Sequence, residues 1–177
     1  SAEPEAEEGF EVRGGAIEPG ELSAWLSEHA STGERHGLSV VGTRKPYGGD
    51  VTAIAIAASD GEGGYVTTAA LTPEDEKALG EWLADEGQPK ALHEAKWAMH
   101  ALRGRGWTLG GLTSDTALAA YLVRPGQRSF NLDDLSLRYL RRELRAEDSG
   151  DAQLSLLDDT DQLDAAAAES EILGARA

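Results

Sequence analysis

The spacing of apolar positions changes along this chain, and the changes mark its elements. Residues 1–9 are acidic and polar and read as a solvated leader, with Phe10 to Ile17 as a short edge segment after it. In GELSAWLSEHA, Leu22, Trp25 and Leu26 recur at helical spacing, which predicts an amphipathic helix near residues 20–30. The period then shortens. Ser39 to Val41 and Val51 to Ala57 are apolar runs flanking a polar turn in which Gly42, Thr43, Arg44, Lys45 and Gly48-Gly49-Asp50 crowd together. GGYVTTAAL adds a third run after the turn SDGEGG. Three strand candidates with no helix between them predict an antiparallel meander.

Helical spacing returns after Leu71. Thr72 suits a cap, Pro73 the first helical position, and Glu74 and Asp75 the positive end of the helix dipole. The buried stripe of that helix is Ala78, Leu79, Trp82 and Leu83. Lys90 to Leu92 reads as a short strand running into a helix that ends near Gly104. A further helix from about Asp115 is capped by Ser114 and closed by Pro125-Gly126. The next, capped by Asn131, turns Leu132, Leu135, Tyr139 and Leu140 inward. Residues 146–160 are acidic and broken by Gly150, the composition of a mobile loop. The last run, DQLDAAAAESEILGARA, is a strong helix former, and the chain is expected to end inside it as a piece of something longer. No internal repeat is visible. This order predicts an α+β or mixed α/β layer, with helices covering a small sheet.

Composition narrows the function classes. At 177 residues the chain suits one domain with a proper core. Its 32 acidic residues outnumber 16 basic ones, for a net charge of −16. That disfavours an autonomous grip on nucleic acid, which needs clustered positive charge, and leaves only a local touch on DNA open. Without cysteine there is no disulfide framework, thiolate metal site or cysteine nucleophile. No apolar run approaches the roughly 18–20 residues of a spanning helix, and SAEPEAEEGF does not read as a signal peptide. A soluble, cytoplasmic monomer with no membrane contact is the expectation.

Several motifs carry less than they first suggest. GTRKPYGG does not match the Walker pattern, so it offers no triphosphate cradle. His93 and His100 flank Glu94, but their spacing fits neither His-Glu-x-x-His nor a zinc-finger pair, and surface or interface positions explain them better. Trp25, Trp82, Trp97 and Trp107 are scattered rather than interleaved with basic residues, which favours core packing over base stacking. Arg44 and Lys45 suit a solvated turn, or a salt bridge to a neighbouring domain, better than a DNA contact. Arg138, Arg141 and Arg142, with Arg145, make a basic patch in LRYLRREL. Most helical charge runs are solvated faces, yet this one is the best candidate for substrate binding, as an interdomain or DNA-backbone contact.

HEAKWAMHALRGRGW, followed by SDTALAAYL and SFNLDDLSLRYL, carries a family likeness. In order and spacing these segments resemble the 3′-5′ exonuclease-type domain of bacterial family A DNA polymerases, the DNA polymerase I group, and most closely its actinobacterial, mycobacterial-type members. The likeness covers roughly residues 36–177, leaving residues 1–35 as leader and first helix. It implies a ribonuclease H-like exonuclease fold: a small mixed sheet that opens with an antiparallel meander and is covered by helices. In that family the domain lies between a 5′ nuclease domain and a polymerase domain, and those would be its intramolecular partners. DNA would be reached through the parent polymerase, which extends DNA in replication and repair using magnesium and deoxynucleoside triphosphates.

Active members of the family hold two divalent metals with four carboxylates, which activate a water and stabilise the leaving oxygen of a phosphodiester. The resemblance places the strand motif Phe-Asp-Thr-Glu-Thr on VGTRK, with Gly42 at the first Asp and Arg44 at the Glu. The third acid falls on Ala98 in EAKWA, where Lys96 and Trp97 match well. In the last helix the tyrosine falls near Ala166 and the acid near Ser170, flanked by Glu169 and Glu171. With at least three of four ligands replaced, the expectation is a catalytically inactive domain that serves as a scaffold and holds no metal or other cofactor itself. One alternative is a divergent two-metal nuclease that uses Asp50, Asp115 and Glu169. Another is an acidic protein-interaction module. Asp115-Thr116 matches an Asp-Thr pair of the family, and helix capping by Asp115 is its plainer reading.

Overall fold

The meander expected from the alternating apolar runs forms the centre of a six-stranded sheet. The computed structural model describes residues 13–45, 48–127 and 129–140. Strands β2 (His36–Lys45), β3 (Gly48–Ala57) and β4 (Glu62–Thr67) pair antiparallel in succession. Strand β1 (Arg13–Ala16) adds parallel to β4 at one edge. On the other side β5 (Lys90–Leu92) runs parallel to β2, and β6 (Leu112–Asp115) runs parallel to β5. The order is β1-β4-β3-β2-β5-β6, a mixed sheet. Antiparallel neighbours need only turns, whereas β5 returns beside β2 through a helical crossover, so meander and crossover together make the α/β character.

Helices supply the other layer: α1 (Leu22–His29), α2 (Pro73–Ala84), α3 (Ala95–Gly104), α4 (Thr116–Val123) and the single turn α5 (Leu132–Leu135). The core joins Leu22, Leu26 and Ala30 to Ile54 and Ile56 of β3, to Leu79, Trp82 and Leu83 of α2, and to Ala95, Ala98, Ala101 and Leu102 of α3. Trp82 and Leu83 lie where the predicted stripe put them, with Ala78 partly buried beside them. The Trp82 indole donates to the Ala30 carbonyl at 2.7 Å, which ties α2 to the end of α1. The other three tryptophans pack partly buried against the same core.

The start of α2 follows its sequence signals and goes further. The Thr72 hydroxyl accepts from the Asp75 N–H, the Asp75 carboxylate accepts from the Thr72 N–H, and Pro73 opens the helix. The same carboxylate accepts from the N–H groups of Gly20 at 2.7 Å and Leu22 at 3.3 Å, at the entry to α1. One side chain, 2% exposed, therefore closes two helix starts.

Two local expectations are corrected. Ser114 is the third residue of β6 and does not cap α4; the Asp115 carboxylate accepts from the Ala117 and Leu118 N–H groups instead. Strand β6 itself carries no strong alternation in sequence, since its residues are exposed or half-buried. Leu135 is buried, whereas Leu132, Tyr139 and Leu140 are exposed. The reason is periodicity: α5 is one turn long and Ser136–Leu140 is wound as a π-helical turn, so the assumed 3.6-residue spacing fails there.

By chain contacts, residues 11–135 form one compact unit. The other comprises residues 1–10 and 136–177, of which only Ser136–Leu140 is described. The loop expected at 146–160 and the closing helix lie outside the described residues. Among the described residues no helix is long and apolar enough to cross a membrane.

Candidate functional site

Strands β2 and β3 form the floor on which the family likeness places its chemistry. Their ladder is regular from Gly37 opposite Ala57 to Val41 opposite Ala53, then skips a residue so that Gly42 faces Val51. Thr52 is the unmatched residue of this β-bulge. A bulge shifts the side-chain alternation by one, and Val51 accordingly joins Ile54 and Ile56 in the buried set. The bulge also brings the two backbones together. A Cβ on Gly42 would fall on the Asp50 carbonyl oxygen, and one on Gly49 would fall on the Thr43 carbonyl oxygen. Only glycine fits either place with the backbone as it stands.

Arg44 follows on β2. Its guanidinium pairs with the Glu94 carboxylate and lies over the Trp97 ring, 5.0 Å from the centroid. The pair is therefore made within the fold, from a strand to the start of α3. Glu94 has a left-handed backbone, with φ of 57°, which is uncommon for a residue with a side chain. It is held there because its own N–H and that of Ala95 donate to the Asp115 carboxylate, at 3.2 and 2.8 Å. Asp115 thus accepts from four backbone N–H groups and caps α3 as well as α4. His93 belongs to the same junction through a hydrogen bond between Nδ1 and the Thr116 hydroxyl at 2.9 Å, while His100 is exposed. Ala98, one turn into α3, is buried at 2% exposure on the face packed against β3.

A second charged chain runs beside the first. Arg105 reaches Asp50 at 3.6 Å and Glu76 at 3.1 Å, and its guanidinium stacks 5.1 Å from the Trp107 centroid. The structure therefore gathers Gly42, Arg44, Asp50 and Ala98 in the hairpin and its facing helix, and commits Asp50 and Asp115 to other partners. Residues Arg141, Arg142, Arg145, Ala166, Glu169, Ser170 and Glu171 lie outside the described residues. Arg138 is exposed on the π-helical turn. The residues missed from sequence are Glu94 as the partner of Arg44, and Arg105. No sequence spacing links them, because each pairing spans tens of residues.

Chemically, the hairpin does not suit a divalent cation. Gly42 has no side-chain donor, Arg44 is itself a cation, and Ala98 presents a methyl group, whereas magnesium needs several oxygen ligands. Among the described residues no three of His, Asp or Glu converge in a way that could hold a metal. The ion pair is a surface one, with Arg44 60% and Glu94 48% exposed. Water and salt screen such a pair, so Arg44→Ala should change stability by no more than about 0.5–1 kcal/mol, measured by thermal melting.

A mixed six-stranded sheet built on an antiparallel meander and flanked by helices defines the class: a ribonuclease H-like exonuclease-type domain. The profile of the DNA polymerase I, ribonuclease H-like domain family matches residues 44–149, and the chain belongs to that family. DNA polymerase I of Mycobacterium tuberculosis (strain H37Rv) is 68% identical over 174 residues, which are 98% of this chain and 19% of that protein. DNA polymerase I of Mycobacterium leprae is 66% identical over 174 residues, again 98% of this chain and 19% of that one. The chain thus spans 19% of the length of these relatives. Among solved structures, the POL domain of Pol1 from M. smegmatis, in complex with DNA primer-template and dNTP, matches with a TM-score of 0.71 and 72% identity. That match covers 76% of this chain and 24% of the other. Escherichia coli RNase D, an exoribonuclease, matches with a TM-score of 0.61 over 79% of this chain and 36% of its own, and at 19% identity it speaks for the fold alone.

Proposed function

We propose that this domain is a catalytically silent 3′-5′ exonuclease-like domain of a DNA polymerase I, and that it serves as a scaffold between the 5′ nuclease and polymerase parts of the longer protein. The observation that carries this reading is the state of the hairpin. Where family resemblance places carboxylates there stand a glycine pressed against a carbonyl, an arginine tied to Glu94 and Trp97, and a buried alanine. Each lost metal carboxylate removes on the order of several kcal/mol of transition-state stabilisation, and about 1.4 kcal/mol is tenfold in rate. Three such losses leave no useful hydrolysis. The longer protein, on the same reading, binds DNA and extends it with magnesium and deoxynucleoside triphosphates during cytoplasmic replication and repair. Those functions reside outside the stretch described above.

The test is release of labelled nucleotide from the 3′ end of single-stranded DNA, with magnesium and then manganese, beside an active exonuclease domain. The purified chain is expected to release nothing above the no-protein control. Release that persists through repurification and disappears with EDTA would sink the silent-domain reading. The nuclease with relocated ligands draws no support from Asp115, whose carboxylate already accepts four backbone N–H groups.

A further inference from the structure

The hairpin has lost more than its acidic side chains. We infer that the bulge between β2 and β3 closes the metal site at the level of the backbone, so that a carboxylate restored at position 42 cannot reach a cation. The inference rests on the silent-site reading for the meaning of position 42, and on geometry for the rest.

Two close approaches carry it. At Gly42 the space that a Cβ needs is already taken by the Asp50 carbonyl oxygen. At Gly49 the same is true of the Thr43 carbonyl oxygen. These two glycines stand on opposite strands of one hairpin, on the turn side of the point where the ladder skips Thr52. Any side chain at 42 must either push β3 away or undo the bulge. Undoing the bulge flips the alternation of the residues beyond it, and Val51, fully buried in the bulged register, marks what is at stake. A carboxylate at position 42 therefore needs a moved strand as well as a new side chain. Gly15 in β1 gives an unconstrained reference, since a Cβ there meets nothing within 4 Å, whereas Gly14 beside it is as crowded as Gly42, against the Gly63 carbonyl.

The experiment has a backbone arm and a metal arm, both on the 177-residue chain. In the first, Gly42→Ala and Gly15→Ala are compared with wild type by thermal melting. Gly42→Ala is expected to melt at least about 5 °C lower, from the cost of forcing one methyl group into occupied space, and Gly15→Ala within about 2 °C of wild type. Equal melting of Gly42→Ala and wild type overturns backbone closure, whatever the nuclease assay finds. In the second arm, manganese affinity is measured by calorimetry for Arg44→Glu alone and for Arg44→Glu combined with Gly42→Asp. In an open site the second acid would tighten binding about tenfold or more, because carboxylate count sets affinity for hard cations. The closed hairpin predicts less than about a twofold gain, or loss of folding in the double variant alone. A tenfold gain in a folded double variant overturns the inference. Nucleotide release by the wild-type chain would instead defeat the silent-site reading and leave the melting result standing.

Discussion

Asp75→Ala is expected to lower the free energy of unfolding by about 3–4 kcal/mol, and with it the melting temperature by about 10 °C. The wild-type carboxylate accepts from the backbone N–H groups of Gly20, Leu22 and Thr72 and from the Thr72 hydroxyl. An ordinary N-cap contributes about 1 kcal/mol, but this one serves two helix starts from a buried position, and alanine would strand several donors away from water. Asp75→Asn keeps the shape while turning an amide toward N–H groups, and should cost about half as much. Burial alone would raise the Asp75 carboxyl, but the donors from Gly20, Thr72 and Leu22 outweigh it and hold the group below its usual value. The folded-state value is thus depressed, so the stabilisation is complete above the unfolded carboxylate value of about 4 and is lost as pH falls through the folded one. Urea unfolding of wild type and Asp75→Asn should show a constant gap between about pH 5 and 7 that shrinks below about pH 4. A gap that is absent at neutral pH would mean that α1 and α2 do not depend on this carboxylate.

Asp75 also shows where sequence reading succeeds and where it stops. Thr72, Pro73 and the acids after them announce the start of α2, because a helix start is decided within four residues. The second task of Asp75, at α1, joins residues more than fifty positions apart and leaves no local mark. Lys90 makes the same point more sharply. A lysine in a short apolar run suggests an edge, yet it is fully buried. Its ammonium donates to the carbonyls of Asp85, Gln88 and Gly110 and lies 4.7 Å from the Trp82 centroid. Burial lowers its pKa below the ordinary lysine value, with the charge of Asp85 acting in the opposite direction. Only the folded loop assembles those carbonyls. At the candidate site, the proposal that Gly42, Arg44 and Ala98 stand where the family carries acids comes from the family likeness alone. The reason why position 42 holds glycine is not legible in the sequence, since it depends on a carbonyl from the opposite strand.

Asp115→Ala should cost about 2–3 kcal/mol, because the same carboxylate accepts from Glu94 and Ala95 at the start of α3 and from Ala117 and Leu118 at the start of α4. The expected fall in melting temperature is about 6–9 °C. Removing it also frees Glu94 from the left-handed conformation that positions its side chain against Arg44, so the pair above Trp97 should loosen as a consequence. Capping and metal binding make opposite predictions for manganese. A ligand that binds only the folded state raises its melting temperature by mass action, and loses that effect when a metal-binding carboxylate is removed. If Asp115 is a cap, millimolar manganese leaves the difference between wild type and Asp115→Ala unchanged, and Asp115→Asn recovers part of the loss because its amide oxygen still accepts. If manganese stabilised wild type by several degrees and Asp115→Ala not at all, the carboxylate would be a ligand, and the hairpin would have rebuilt a metal site around a different acid.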